Sequence, residues 1–222
     1  MLATSTRREQ HMNNIIAIKG KNNDLIDIAN YPGLKINFLG KNSRVIIENP
    51  VRINKLTAWI GNDCDVYIGD SVDVRGYLHI FASANKSKIR IGDKCSFTGV
   101  TIRMESEPNL EIEIGNRCLF SDKIIIRSSD SHTIFDCKTK APLNIPGKVK
   151  IGNHVWIGYG VNILKNTLLP NDCVVATQSL VTKEFHDDNC VIGGIPAKVL
   201  RTNIGWDWNN TSAYLDRISN KC

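Results

Sequence analysis

No run of apolar residues in this 222-residue chain approaches the length of a membrane span. Residues 1–14, MLATSTRREQHMNN, also lack the apolar core of a secretory leader, so the chain reads as cytoplasmic with a disordered or tag-like start. There are seven cysteines but no CxxC pair, and neither a zinc cluster nor any other metal site is expected. The odd cysteine count in such a chain argues against a disulfide framework. Basic residues outnumber acidic ones 28 to 22, a formal charge of +6, yet no long basic run occurs. Nucleic acid is therefore not the expected partner, and the modest positive field favours an anionic small molecule or polymer.

What the chain does have is a beat. The stretch IGNHVWIGYGVNILKNTLLPNDCVVATQSLVTKEF sets Ile151, Ile157, Ile163, Leu169, Val175 and Val181 on every sixth position. A helix face repeats near 3.6 residues and a half-buried strand every 2, so neither alone explains a period of six. Gly152, Gly158, Asn162, Asn166, Asn171, Asp172 and Gln178 crowd the gaps with turn chemistry. Short strands joined by turns at a fixed short period describe a parallel β-helix solenoid, each six-residue unit forming one flat side. The beat recurs at Ile60, Val66, Val72 and Leu78, at Ile91 and Phe97, and at Ile114, Phe120 and Ile126. The alternative is a β-sandwich of short strands, which imposes no such period.

The repeat also accounts for most of the cysteines. Cys64, Cys95, Cys118 and Cys173 each lie four residues after a beat residue, a slot that Val155 fills in IGNHV. A position shared by Cys and Val is a small apolar site.

Residues 15–58 read as loose leading coils and 59–130 as the first regular ones, with interruptions at Asn85–Lys88 and Glu105–Asn109. The beat then stops, and returns only at Lys148 to Ile151. The intervening segment, about 131–148, must loop out of the solenoid as an excursion. The solenoid is expected to end near 204. A tail over 205–222 carries a short helix at Ser212–Asn220 that would cover the open end.

His132 lies where the repetition breaks, in RSSDSHTIFD, and imidazole suits proton abstraction near neutral pH. Trp156 precedes the inward Ile157, so its indole points out of the core, either shielding a corner or offering a platform for a sugar or thioester. Asp130 and Asp136 both stand close enough in sequence to orient the imidazole. No Ser or Cys is placed beside His132, which favours direct transfer over an acyl-enzyme.

Taken together, RSSDSHTIFD, the prolyl loop, IGNHVWIG and the terminal CVIGGIPAKVLR resemble the hexapeptide-repeat acyltransferases over about residues 112–204. Within that family the pattern is similar to bacterial capsular-polysaccharide and polysialic acid O-acetyltransferases. The resemblance implies an all-β, left-handed parallel β-helix assembled as a homotrimer, with acetyl-CoA as co-substrate between neighbouring solenoids and a saccharide as acceptor. It implies His132 as the catalytic base, assisted by Trp156. Coenzyme contacts would come from Asn144, Gly158, Lys165, Ala176, Thr177, Lys183, Lys198 and Arg201. Two departures bear on the acceptor: ATQS replaces the usual small residues at Ala176–Ser179, and the loop after His132 lacks a second histidine.

Other classes share parts of this pattern. An N-acetyltransferase acting on an amino sugar or nucleotide sugar would share the coenzyme machinery. A non-catalytic saccharide-binding solenoid would need neither His132 nor the excursion. A zinc hydratase on the same scaffold would need three converging histidines, for which His79, His132 and His154 are the candidates.

Overall fold

In a computed structural model describing residues 13–220, every beat residue turns inward. Ile151, Ile157, Ile163, Leu169, Val175 and Val181 are buried, as are Ile60, Val66, Val72, Leu78, Ile91, Phe97, Ile114, Phe120 and Ile126. Each such side chain contributes on the order of 1.5–3 kcal/mol by leaving water. The strands stack in parallel register into a solenoid of about 7 turns.

One face stacks Ile15–Lys19, Arg44–Glu48, Asp65–Ile68, Lys88–Ile91, Glu111–Ile114, Val149–Ile151 and Thr167–Leu169. A second sheet wraps the other two faces, because Asp73–Ala82 and Ser96–Arg103 run on through the corner between them. Inside, Phe97, Phe120, Ile157, Val175 and Ile192 lie in one ladder. The rings of Phe97 and Phe120 stack with centroids 4.8 Å apart.

Coil length explains where the beat is audible. Bonds between neighbouring coils join residues 21 or 23 apart in the first coils but 18 apart at Asn153 and Asn171. Only the last spacing is a whole number of sixes per three-sided turn. Counting in sixes from Ile60 therefore mixes two inward positions. Val66 pairs with Ile89, whereas Ile91 pairs with Ile68 and Ile114.

The IGN and IGD motifs form a corner. The backbone N–H groups of Asp93, Asn116, Asn153 and Asn171 donate to the side-chain oxygens of Asn116, Asn153, Asn171 and Asp188, each at 2.8 Å. The preceding glycine permits the approach: a Cβ on Gly152 would sit 2.8 Å from the Pro170 carbonyl carbon. The chain next passes through the left-handed region at Asp63, Lys94, Arg117, His154 and Asp172. It then drops Cys64, Cys95, Cys118, Val155 or Cys173 into the core. Burial pushes the Cys173 thiol up to about 12. The four thiols fill the core as small side chains, each donating to a backbone carbonyl, as Cys118 does to Gly152 at 3.2 Å.

The excursion leaves after Ile124–Arg127 and rejoins at Val149–Ile151. It is a small hairpin, with Phe135 bridging Pro142 and the Gly147 N–H donating to the Ser128 carbonyl at its root. At the other limit of the solenoid, Val191–Gly194 turns through the cis Ile195–Pro196 bond into antiparallel Ala197–Arg201.

Two boundary readings change. Residues 1–12 lie outside the described residues. Asn14, grouped with them by sequence, bridges the Gly40 carbonyl and the Ser43 N–H. The terminal helix, α1 (Thr211–Ser219), does not cover the open end. That end is closed by buried Phe185, whose N–H donates to the Leu168 carbonyl, and by the antiparallel hairpin that pairs the last edge. After Ile204 the chain folds back along the outside of the solenoid, because its anchor is Trp206 against His154 and α1 itself buries no residue.

Candidate active site

His132 stands exposed at the rim of the excursion, in a pocket of about 210 Å³ that also includes Glu107, Ser129, Thr133 and Ile145. Its backbone is held firmly. Asn144 donates from Nδ2 to the His132 carbonyl at 2.8 Å and to the Asp130 carboxylate at 2.9 Å, while its Oδ1 accepts from the Ile134 N–H. Lys165 closes the brace by donating to Asp130 and to the Asn144 carbonyl. The Lys165 hydrogen bond, with that from Asn144, holds the Asp130 carboxyl below its usual range.

Neither rival acid orients the imidazole directly among the described residues. Asp130 is taken up by Lys165 and Asn144. Asp136 accepts from the N–H groups of Lys138 and Thr139 and from the Thr139 hydroxyl, which closes the hairpin turn. What Asp130 provides is position: it fixes Asn144, and Asn144 fixes the chain at His132.

Trp156 lies between Leu119 and Val174 on a different face and is 40% exposed, with its ring outside the core as its register demands. Its surroundings share no residue with the His132 pocket. A single chain therefore does not bring His132 and Trp156 together.

The residues assigned to the coenzyme fall into separate groups. Gly158 and Ala176 stack at the corner beyond Trp156, and Gly193 continues the column. A Cβ on Gly158 would lie 2.8 Å from the Val175 carbonyl oxygen, and one on Gly193 would lie 2.9 Å from the Ala176 Cβ. This column of small residues is closely packed, with Gly158 and Gly193 buried and Thr177 exposed beside it. Lys198 and Arg201 project from the exposed strand Ala197–Arg201, which springs from the same corner. Asn144 and Lys165 stand apart from these, in the brace behind His132. Lys183 sits over the Phe185 ring, 5.2 Å from its centroid, near the closed end. ATQS has a local explanation, since Ser179 donates to the Ala176 carbonyl and accepts from the Gly194 N–H, while Gln178 takes the left-handed turn conformation.

The three histidines of the hydratase reading stand apart. His79 lies on a strand between Thr57 and Thr101, with its pKa lowered by burial and then by Lys55, and His154 occupies a distant corner turn. No group of three His, Cys, Asp or Glu suited to a metal ion occurs among the described residues. Nor is any described helix long and apolar enough to cross a membrane.

Sequence reasoning missed an aromatic cluster. Trp206 stacks on His154 and lies 6.0 Å from Trp156 and 5.7 Å from Trp208, measured between ring centroids. The signal was present in GWDWNN, where two of the four tryptophans fall within three residues.

No protein-family model matches the chain. It is 34% identical over 83 residues to the polysialic acid O-acetyltransferase of Escherichia coli O1:K1 / APEC, covering 37% of this chain and 27% of that protein. It is 31% identical over 81 residues to the polysialic acid O-acetyltransferase of Neisseria meningitidis, covering 36% of this chain and 38% of the relative. The matched stretch thus spans between about a quarter and two fifths of those relatives' own lengths. The crystal structure of the polySia-specific acetyltransferase NeuO superposes with a TM-score of 0.72 at 23% identity, over 95% of this chain and 89% of the other. The fold is accordingly the parallel β-helix expected from the repeat, left-handed as the resemblance implied, and the resemblance to polysialic acid O-acetyltransferases read from the motifs holds.

Proposed function

We propose that this protein transfers the acetyl group of acetyl-CoA to a hydroxyl of a bacterial surface saccharide, with His132 as general base. The observation that carries the reading is the braced excursion. The excursion is the longest interruption of the repeat, and three side chains (Asp130, Asn144 and Lys165) brace the backbone of an exposed histidine within it. A histidine that only filled space would need no such support.

In this mechanism His132 takes the proton of the sugar hydroxyl as its oxygen attacks the thioester carbonyl. The tetrahedral intermediate collapses with cleavage of the C–S bond, and the imidazolium returns the proton to the CoA thiolate. The developing oxyanion needs a donor, supplied by the Trp156 indole or a backbone N–H near Gly158. Exposed Thr177, beside the Gly158–Ala176 corner, is assigned to the pantetheine arm, and the exposed cations Lys198 and Arg201 to the CoA phosphates.

Because His132 and Trp156 do not meet within one chain, the site is completed by a second copy, in keeping with a homotrimer. The excursion and the terminal hairpin support this. Ile134, Phe135, Leu143, Ile195 and Leu200 are exposed on them and offer apolar surface for a neighbour to cover.

The test is thiol release from acetyl-CoA against a panel of bacterial polysaccharides and amino sugars, with the product bond assigned by NMR. Acceptor-dependent release with an O-acetyl ester is the expected result. Amide formation, or release that no saccharide stimulates, would contradict the reading.

A further inference from the structure

A polar-aromatic cleft beside the solenoid shares only Trp156 with the chemistry proposed above. It measures about 780 Å³ and lies between Trp156 and the returning C-terminal segment, with Trp206, Asp207, Asn209, Tyr214 and Arg217 in its wall. Trp208 stands outside that wall, with its ring centroid 5.7 Å from that of Trp206. Trp156, Trp208 and Tyr214 are each 40% exposed, leaving three large aromatic side chains partly open to solvent.

The arrangement is built, not loose. Trp206 donates from its indole N–H to the His154 carbonyl at 2.8 Å and stacks on the His154 ring, which is itself bound to Asp172 at 2.8 Å. Asp207 accepts from the Asn209 N–H and side chain and pairs with Arg217 on α1, so the loop and the helix are tied together. Arg217 also lies over the Tyr214 ring. The cleft's two charged side chains thus neutralise each other. What remains is a set of aromatic faces tilted by 42–45° to one another and bordered by amides and a hydroxyl.

We infer that this cleft binds a neutral pyranose unit of the saccharide acceptor, an inference that rests on the acetyl-transfer reading. Aromatic rings present a broad apolar face to the C–H face of a sugar, while the amides and Thr211 meet its hydroxyls. A ligand recognised by charge would need an unpaired cation, and Arg217 already has its carboxylate. Trp156 lines the cleft, which links the bound unit to the residue assigned to the developing oxyanion. Trp208 and Tyr214 are binding residues only, and Trp206 is a positioning residue.

The experiment is isothermal titration of the full chain with neutral oligosaccharides (maltohexaose, chitohexaose and a galacto-oligosaccharide) and with α2,8-linked oligosialic acid. Wild type, Trp208→Ala, Trp208→Phe and Tyr214→Ala are compared, with thiol release measured in parallel. The inference expects a neutral probe to bind, with affinity falling about tenfold or more in each Ala variant. Trp208→Phe should keep most of the affinity, and raising salt should change little. The KM for acetyl-CoA should stay at the wild-type value in the variants. Absence of neutral-probe binding, affinity unchanged in both Ala variants, or salt-sensitive binding of oligosialic acid alone would each overturn it. Tyr214 is on an exposed helix, so its variant reports even if Trp208→Ala fails to fold. Binding that persists without any acetyl transfer would instead remove the catalytic reading and leave a saccharide site.

Discussion

Trp206 lies flat on His154, with ring centroids 4.1 Å apart and planes 13° from parallel, and its indole N–H donates to the His154 carbonyl. This pairing fastens a segment that has few other anchors, because α1 buries none of its residues. Trp206→Ala should therefore free residues 205–219 while the coils stay folded. Hydrogen exchange is the check: amides of the segment should exchange at least about tenfold faster, with the strand ladders protected as in wild type. Equal protection would show that the segment is held elsewhere.

Trp156 and Ile157 are adjacent and face opposite ways. Ile157 is fully buried, so Ile157→Ala should cost about 2–5 kcal/mol of stability. Trp156→Ala should cost well below that range, since the ring is 40% exposed, and should lower turnover instead. Thermal unfolding and thiol release on the same pair of variants separate the two. An early-melting Trp156→Ala with normal turnover when cold would return the ring to a shielding role.

The brace behind His132 has a defined pH window. Asp130 has its pKa depressed, chiefly by Lys165, so its contribution is present above the unfolded carboxyl value and is lost as pH falls through the lower folded one. The hairpin at 131–147 should stay protected from protease across neutral pH and loosen only in acid below the ordinary carboxylate range. Lys165→Met should loosen it already at pH 7 and lower kcat more than it raises the KM for acetyl-CoA. The reverse split would make Lys165 a coenzyme contact and leave Asp130 merely a surface acid.

Lys198 and Arg201 project from an exposed strand and need not be held by the core. Changing either to Ala should raise the KM for acetyl-CoA several-fold and flatten its salt dependence, with the melting temperature unchanged. An unchanged KM in both variants would give this basic strand another use.

The solenoid was legible because one inward aliphatic per side is a strict demand. It is clearest from Ile151 to Val181, where coils repeat every 18 residues. It blurs where longer corners bring the repeat to 23, as between Asp93 and Asn116, and six no longer divides the turn. The excursion and the outward Trp156 followed from the same frame. The Asn144 brace did not, because a carboxamide that bonds across a hairpin leaves no periodic trace. Nor did the resting place of α1: its place after the last coil suggested a lid for the open end, whereas Trp206 finding His154 52 residues away decides where it goes.

The central claim is that His132 removes the acceptor proton, and its most direct test is the turnover of His132→Ala with a working acceptor. The account predicts a fall of about 10²–10⁴-fold, with the oligomeric mass and melting temperature unchanged. Turnover within a few-fold of wild type in that folded variant would contradict it.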